Sequence, residues 1–395
     1  MSLFVTGARR RAALVVVRSI GRRGVEVHVG GENTGETAFL SKYCRKRFVY
    51  PSPQYHPNEY VSAVLSYIKK NKIEVFFPMH DFELLPVLKE KDKFDKVTSV
   101  PFPDYETVNK TINKMETYKL AEKCNVPFPK SVYIENVEEI NKIDVLDFPV
   151  VIKPKSQTIF SDKAKALYVT EKNYAKNKQE LITKTSEILK LSGGVIIQEY
   201  VEGHGEGVAC LYRYGKPKVF FSYKRVREYP ITGGPSTLRE STKNKLLMEY
   251  ARNLLDSLKW HGVAMVEFKV GKKIALMEIN GRFWGSVALP YYSGVDFPYL
   301  LYRMAKDGDV VVDPDYKEGV KCRWLIPGDI LHFLTHFMKY GDLGYLRNFF
   351  HFRGFYYDDI DFDDLLPTVG TAVTGLRYFK DYLLRKRSLA GEYVR

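Results

Sequence analysis

MEINGRFWGS, residues 277–286, together with VAMVEFKV at residues 263–270, is the stretch on which the reading of this chain turns. Side chains alternate between the two faces of a strand, so Glu278 and Asn280 in IALMEIN point the same way, and Arg282 follows where the strand runs out. The preceding run is also strand-like, and Gly271-Lys272 reads as a two-residue turn between the two. An even loop keeps the parity and places Glu267 on the face of Glu278, whereas a three-residue turn would put them on opposite faces.

The hairpin then carries two carboxylates and an amide on one patch, with Met265, Ile274 and Leu276 as apolar neighbours. Carboxylates so placed repel and are costly to desolvate unless a cation lies between them. A hard ion such as Mg²⁺ takes oxygen ligands and is commonly completed by nucleotide phosphates. Arg282, beyond these ligands, is placed to stabilise negative charge that builds on a phosphoryl or acyl group. Taken alone, the same residues also read as a solvent-facing hairpin with scattered charges.

Glu267 followed by Glu278-Ile279-Asn280-Gly281-Arg282 resembles the metal-binding end of the ATP-grasp superfamily. The resemblance implies ATP and two Mg²⁺ ions, with Mn²⁺ as a substitute, held by Glu267, Glu278 and Asn280, and Arg282 as the catalytic cation. Gly281 stands where such proteins mostly carry Pro, a change expected to loosen the turn that bears Arg282.

At 395 residues the chain is long enough for two or three domains, and 45% hydrophobic with 27% charged residues is ordinary for a globular protein. No apolar run approaches the ~20 residues of a membrane-spanning helix. The opening MSLFVTGARRR puts its basic residues after its apolar ones, unlike a secretory signal, so a cytoplasmic protein is expected. Cys44, Cys124, Cys210 and Cys322 form no CxxC pair and read as reduced thiols. The net charge of +14 is spread along the chain without a recognition-helix, zinc-finger or RNP pattern. An anionic ligand such as ATP, or an anionic membrane surface, accounts for its sign, and nucleic acid is set aside.

From the N-terminus, a strand ending at Gly7, an Arg-rich turn, an apolar helix and the strand VEVHVG form a mononucleotide-type unit. Arg9, Arg10 and Arg11 read either as an anion site or as a solvated turn. His80, Asp81 and Glu83, at the end of IEVFFPMHD, are candidates for the substrate side of a cleft, with a helix cap at Asp81 as the alternative. Pro101 and Pro103 mark a boundary. Lys114 at a helix start and Lys153 in PVVIKPKS resemble the two ATP-grasp lysines that touch the nucleotide. The glycine-free SQTIFSDKAKA stands where relatives carry a lid, with Ser156, Ser161 and Lys163 available as side-chain substitutes. A polar helix is expected over residues 172–191. Glu199, Tyr200 and Val201 in VIIQEYVEG resemble the adenine hinge, and Glu206 the ribose-binding acid.

YKRVREYPITGGPSTLRES breaks all periodicity and reads as one long loop. Its Arg225, Arg227, Gly233, Gly234, Ser236 and Arg239 suit an anionic acceptor, with a plain surface loop as the alternative, and it resembles a loop of one ATP-grasp branch, the carboxylate-amine ligase or carbamoyl-phosphate-synthase-like proteins. Beyond Lys321 the aromatic, basic run ILHFLTHFMKYGDLGYLRNFFHFRGFYY is expected to cap the cleft, form a homodimer or touch a membrane peripherally, with packing on the main body as the default.

The expected fold is α/β and α+β. It comprises a Rossmann-like pre-ATP-grasp domain (1–104), an ATP-grasp small lobe (105–194), a large lobe with the metal site (195–310) and a helical C-terminal extension (311–395). By resemblance it is an ADP-forming ligase joining a small-molecule carboxylate to an amine. Bicarbonate as acceptor, or a non-catalytic ATP-binding protein that docks on membranes or partners, are the alternatives.

Overall fold

The computed structural model describes residues 1–142, 146–155, 173–231 and 233–383. The expected lid, with Ser156, Ser161 and Lys163, lies outside the described residues. Strands β1 (Ser2–Val5), β2 (Glu26–Gly31), β3 (Cys44–Val49) and β4 (Val75–Phe77) form a parallel sheet in the order β3-β2-β1-β4. β1 and β4 read as unbroken apolar runs because a parallel sheet is covered on both faces. Helix α1 (Arg11–Gly21) is correspondingly buried from Ala12 to Ile20, Arg18 included. Helices α2 (Pro57–Asn71), α3 (Asp81–Lys89) and α4 (Lys91–Asp95) complete this part.

Two short helices lead onward, α5 (Tyr105–Ile112) and α6 (Lys114–Lys123). Asn113 starts α6 by accepting from the backbone N–H groups of Met115 (3.1 Å) and Glu116 (3.5 Å), which places Lys114 at the first helical position. An antiparallel sheet follows, β5 (Ser131–Ile134), β6 (Val150–Pro154), β7 (Tyr174–Ala175) and β8 (Val195–Glu199), in the order β5-β8-β6-β7. Against it packs α7 (Lys178–Ser192), which begins later than residue 172 because β7 intervenes and Asn177 caps it at the Glu180 N–H (2.9 Å). This sheet has its own small core, built on Ile134, Val150, Ile152, Leu181, Val195 and Ile197.

The largest sheet runs β13-β12-β9-β10-β11-β14-β15. Its members are β9 (His204–Arg213), β10 (Lys216–Glu228), β11 (Ser236–Thr242), β12 (Gly262–Val270), β13 (Ile274–Asn280), β14 (Lys321–Arg323) and β15 (Phe355–Tyr357). The remaining helices are α8 (Lys245–Ser257), α9 (Ala288–Ser293), α10 (Phe297–Asp307), α11 (Ile330–Tyr340), α12 (Leu343–Phe349) and α13 (Leu366–Leu383). One continuous core joins this sheet to the parallel one. The C-terminal region is helical and also donates β14 and β15, which the aromatic run concealed.

The expected long loop is mostly strand: Lys224, Arg225 and Arg227 lie on β10 and Ser236 and Arg239 on β11. Charged side chains lie on both faces of these strands, Arg225 and Arg227 on opposite ones, so no apolar period marks them.

Candidate functional site

The carboxylate hairpin reaches the expected parity by a different route. Val270 pairs with Ile274, so the turn holds three residues, which alone would separate Glu267 from Glu278. A β-bulge between the Phe268–Leu276 and Glu267–Glu278 pairs absorbs Met277 and brings the two carboxylates directly opposite. Asn280 Nδ2 donates to Glu278 Oε1 (3.0 Å) and to Glu267 Oε1 (3.5 Å). Each carboxylate also has a resident cation: Arg225 closely pairs with Glu267, and Lys114 Nζ lies 3.4 Å from Glu278 Oε2.

The electrostatics of the pair are asymmetric. Burial pushes Glu267 up to about 7, and the charge of Glu278 adds to it against the opposing pull of Arg225. At Glu278 the cost of burial is outweighed by Lys114, the Asn280 hydrogen bond and Arg225, and the pKa falls to about 2. Two opposed carboxylates and an amide are a donor set that fits a hard divalent cation, since turning the amide presents its oxygen. Among the described residues there is no group of three or more His, Cys, Asp or Glu side chains placed to hold a metal ion.

Lys153, on β6, is buried and donates to Gln198 Oε1 at 2.7 Å. Gln198 Nε2 in turn donates to Tyr118 Oη (2.7 Å) and Ser131 Oγ (3.0 Å), so β8, α6 and β5 together orient the lysine. Burial first, then the charge of Lys114, lowers Lys153 to about 7. Lys114 is also buried, yet Glu278 and Tyr118 overcome that burial and raise its pKa. The two lysines, from different elements, thus face one space beside Glu278.

Glu199 ends β8 with its carboxylate engaged by the Lys130 N–H (2.8 Å) and Lys273 Nζ (2.6 Å). Lys273 belongs to the turn of the carboxylate hairpin, so Glu199, the half-exposed Tyr200 and the buried Val201 border the hairpin at its turn end. Glu206 does not join them. It pairs across β9 and β12 with Phe268, on the sheet face opposite Glu267, and bonds His204 (2.9 Å) and Asn244 (3.1 Å) at the start of α8. The expected place at a ribose is therefore corrected: strand parity turns Glu206 away from the lysines and the carboxylate pair.

Arg282 is clamped by Asp81, with Nε at 3.1 Å and Nη2 at 3.0 Å from Oδ2, and it donates to the Phe283 carbonyl (3.0 Å). The turn is tight, contrary to the expectation from Gly281: a Cβ there would stand 2.8 Å from the Trp260 ring. Asp81 is accordingly a partner of Arg282 and not the cap of α3, a place taken by His80. His80 is held neutral by burial and by Arg10, Arg282 and Arg9 around it. Glu83 is spent on Tyr50 Oη (3.0 Å), the Met79 N–H (3.0 Å) and Thr6 Oγ1 (3.2 Å).

The expected acceptor residues are divided. A bulge between Arg225 and Arg227 leaves Arg225 opposite Arg239, on the face of Glu267, and puts Arg227 opposite Leu238 on the other face. Arg227 there meets Asp329 (2.7 Å) and the Tyr345 ring. Arg239 is fully buried against Asp358 and Cys322. Ser236 Oγ donates to the Leu238 carbonyl (3.1 Å), and Gly234 is required where a Cβ would stand 2.4 Å from the Tyr229 carbonyl oxygen. Gly233, at φ 128°, shapes the same turn. Only Arg225 of this set reaches the carboxylate pair.

Two features escaped the sequence reading. Gln198 and Tyr118 look like core residues in sequence and carried no signal. The segment 358–364, DDIDFDD, did carry one, five aspartates in seven residues of a basic chain. It ties α1 down through Arg11–Asp358 (2.7 Å), Arg18–Asp364 (2.9 Å) and Arg22–Asp361.

Residues 193–326 match the family described as ATP-grasp in the biosynthetic pathway with Ter operon. Similar solved structures include an L-amino acid ligase from Bacillus licheniformis, 13% identical, with a TM-score of 0.59 over 77% of this chain and 73% of that one. A biotin carboxylase from Campylobacter jejuni in a β-γ-ATP complex is 14% identical, with a TM-score of 0.63 over 81% and 74%. An N5-carboxyaminoimidazole synthetase from Staphylococcus aureus complexed with ADP is 12% identical, with a TM-score of 0.63 over 81% and 80%. No curated protein sequence matches the chain.

Proposed function

We propose, from the premise that this chain is an ATP-grasp protein, that it is an ADP-forming ligase joining a carboxylate to an amine. The observation that carries the reading is the convergence of Lys114, Lys153, Glu267, Glu278 and Asn280 on one space between two sheets. The similar L-amino acid ligase makes an amino acid a natural first acceptor to test.

In this reading Glu199, Tyr200 and Val201 border the adenine, and Lys114 and Lys153 neutralise the phosphates. Glu267, Glu278 and Asn280 would hold Mg²⁺, two ions in the fullest form, and bound Mg²⁺ supplies charge compensation along the phosphate chain. A carboxylate oxygen attacks the γ-phosphorus and ADP leaves. The amine nitrogen then attacks the acyl carbon, phosphate leaves, and the amine sheds a proton. Arg282, fixed by Asp81, faces this step from the parallel-sheet side and stabilises the developing negative charge. Positioning and charge compensation supply most of what phosphoryl transfer requires.

The test is ADP release with Mg²⁺ across pools of amino acids, small carboxylates and bicarbonate, wild type beside Glu278→Ala. Pool-dependent release that is lost in the variant supports the ligase. Bicarbonate-dependent release would reassign the acceptor, and ATP binding with no release in any pool would sink the catalytic reading.

A further inference from the structure

Arg225 occupies a position that a divalent cation would contest. Its guanidinium closely pairs with Glu267, while its contact with Glu228 is longer, at 3.4 Å. Among the described residues its buried Nε has no acceptor. Directly opposite on β11, Arg239 is in a contrasting state: fully buried and fixed by Asp358, it has nowhere to turn. Arg225 keeps a part-exposed side chain at 17%. On the other flank Lys114 serves Glu278 in the same way that Arg225 serves Glu267.

A cation between the two carboxylates takes the lone pairs that Arg225 now uses and repels its charge. Arg225 then retains only its longer contact with Glu228, beside a site whose chemistry delivers an anion. We propose that Arg225 is the resident counter-ion of the Glu267–Glu278 pair and changes partners when the divalent cation enters, turning its guanidinium to the acceptor carboxylate. This rests on the ligase reading for the acceptor, but the exchange with the cation does not. Ion loading and acceptor binding are thereby coupled, and the coupling is reciprocal.

The test uses the full chain with Mn²⁺ as a paramagnetic probe, in wild type, Arg225→Gln and Arg225→Lys. Removing the competing charge in Arg225→Gln should tighten Mn²⁺ binding roughly tenfold and enlarge the Mn²⁺-induced rise in melting temperature. Arg225→Lys, which keeps the charge, should bind Mn²⁺ within about twofold of wild type. It should also raise KM for whichever pool supports ADP release by roughly tenfold while KM for ATP holds, because the planar fork is gone. Mn²⁺ affinity unchanged or weakened in Arg225→Gln overturns the exchange. An unchanged pool KM in Arg225→Lys overturns the acceptor role. If no pool supports turnover the ligase reading fails, and the Mn²⁺ measurement still decides the exchange.

Discussion

Lys153 shows how much a single buried side chain can reveal. Its pKa near 7 in the folded chain lies far below the value for an unfolded chain, about 10.4. Between these values the unfolded state holds more protons, so this residue's cost to stability is full below pH 7 and is relieved as the pH rises toward the unfolded value. Phosphates beside it reverse the shift. At pH 8, nucleotide binding should therefore take up as much as about one proton, seen by calorimetry in buffers of differing ionisation enthalpy, and Lys153→Met should abolish the uptake. At this scale sequence served unevenly. Lys114 at a helix start and Lys153, Glu278 and Asn280 on strands were singled out by their order and spacing, which resemble a family pattern, whereas Gln198 and Tyr118, which aim Lys153, have the residue types of any half-polar core.

Elements were legible where a period marked them, and the errors fall where a bulge changes it. The two-residue turn gave the right face for Glu267 through the wrong register, since Met277 compensates a three-residue turn. The bulge at β10 likewise separated Arg225 from Arg227, which alternation alone would place together. Glu206 is next to Gly207, the partner of Glu267, and so lies on the other face of the sheet. The acidic segment after β15 is the element with the largest expected energetic effect. Asp358, with a side chain 1% exposed, neutralises Arg11 and Arg239 and accepts from Cys322 Sγ (3.2 Å). Asp358→Asn strands the buried Arg239 and the part-buried Arg11, and urea unfolding should show a loss of about 3–5 kcal/mol. The same substitution in an exposed pair such as Lys243–Asp315 should leave the urea midpoint unchanged within error.

Across the whole molecule, the cores are unequal. The β5–β8 sheet packs on a small cluster of its own, while the parallel sheet and the seven-stranded sheet share one. Amide exchange should accordingly be faster in β5, β6 and β8 than in β9 and β12, and MgADP should slow it in the former set most, because Lys153 comes from that sheet. Equal protection in both sheets would contradict a separately moving lobe. Among the described residues no helix is long and apolar enough to cross a membrane. The parallel sheet, meanwhile, is bound from the far end of the chain: Arg18 on α1 donates to Asp364 and to the Asp358 and Asp364 carbonyls. A ribosome delivers α1 early and this acidic segment more than three hundred residues later. Throughout synthesis the arginines of α1 wait without their partners, and a product cut short before Asp358 never receives them. These contacts can therefore close only once residue 364 has been made, late in the assembly of the chain.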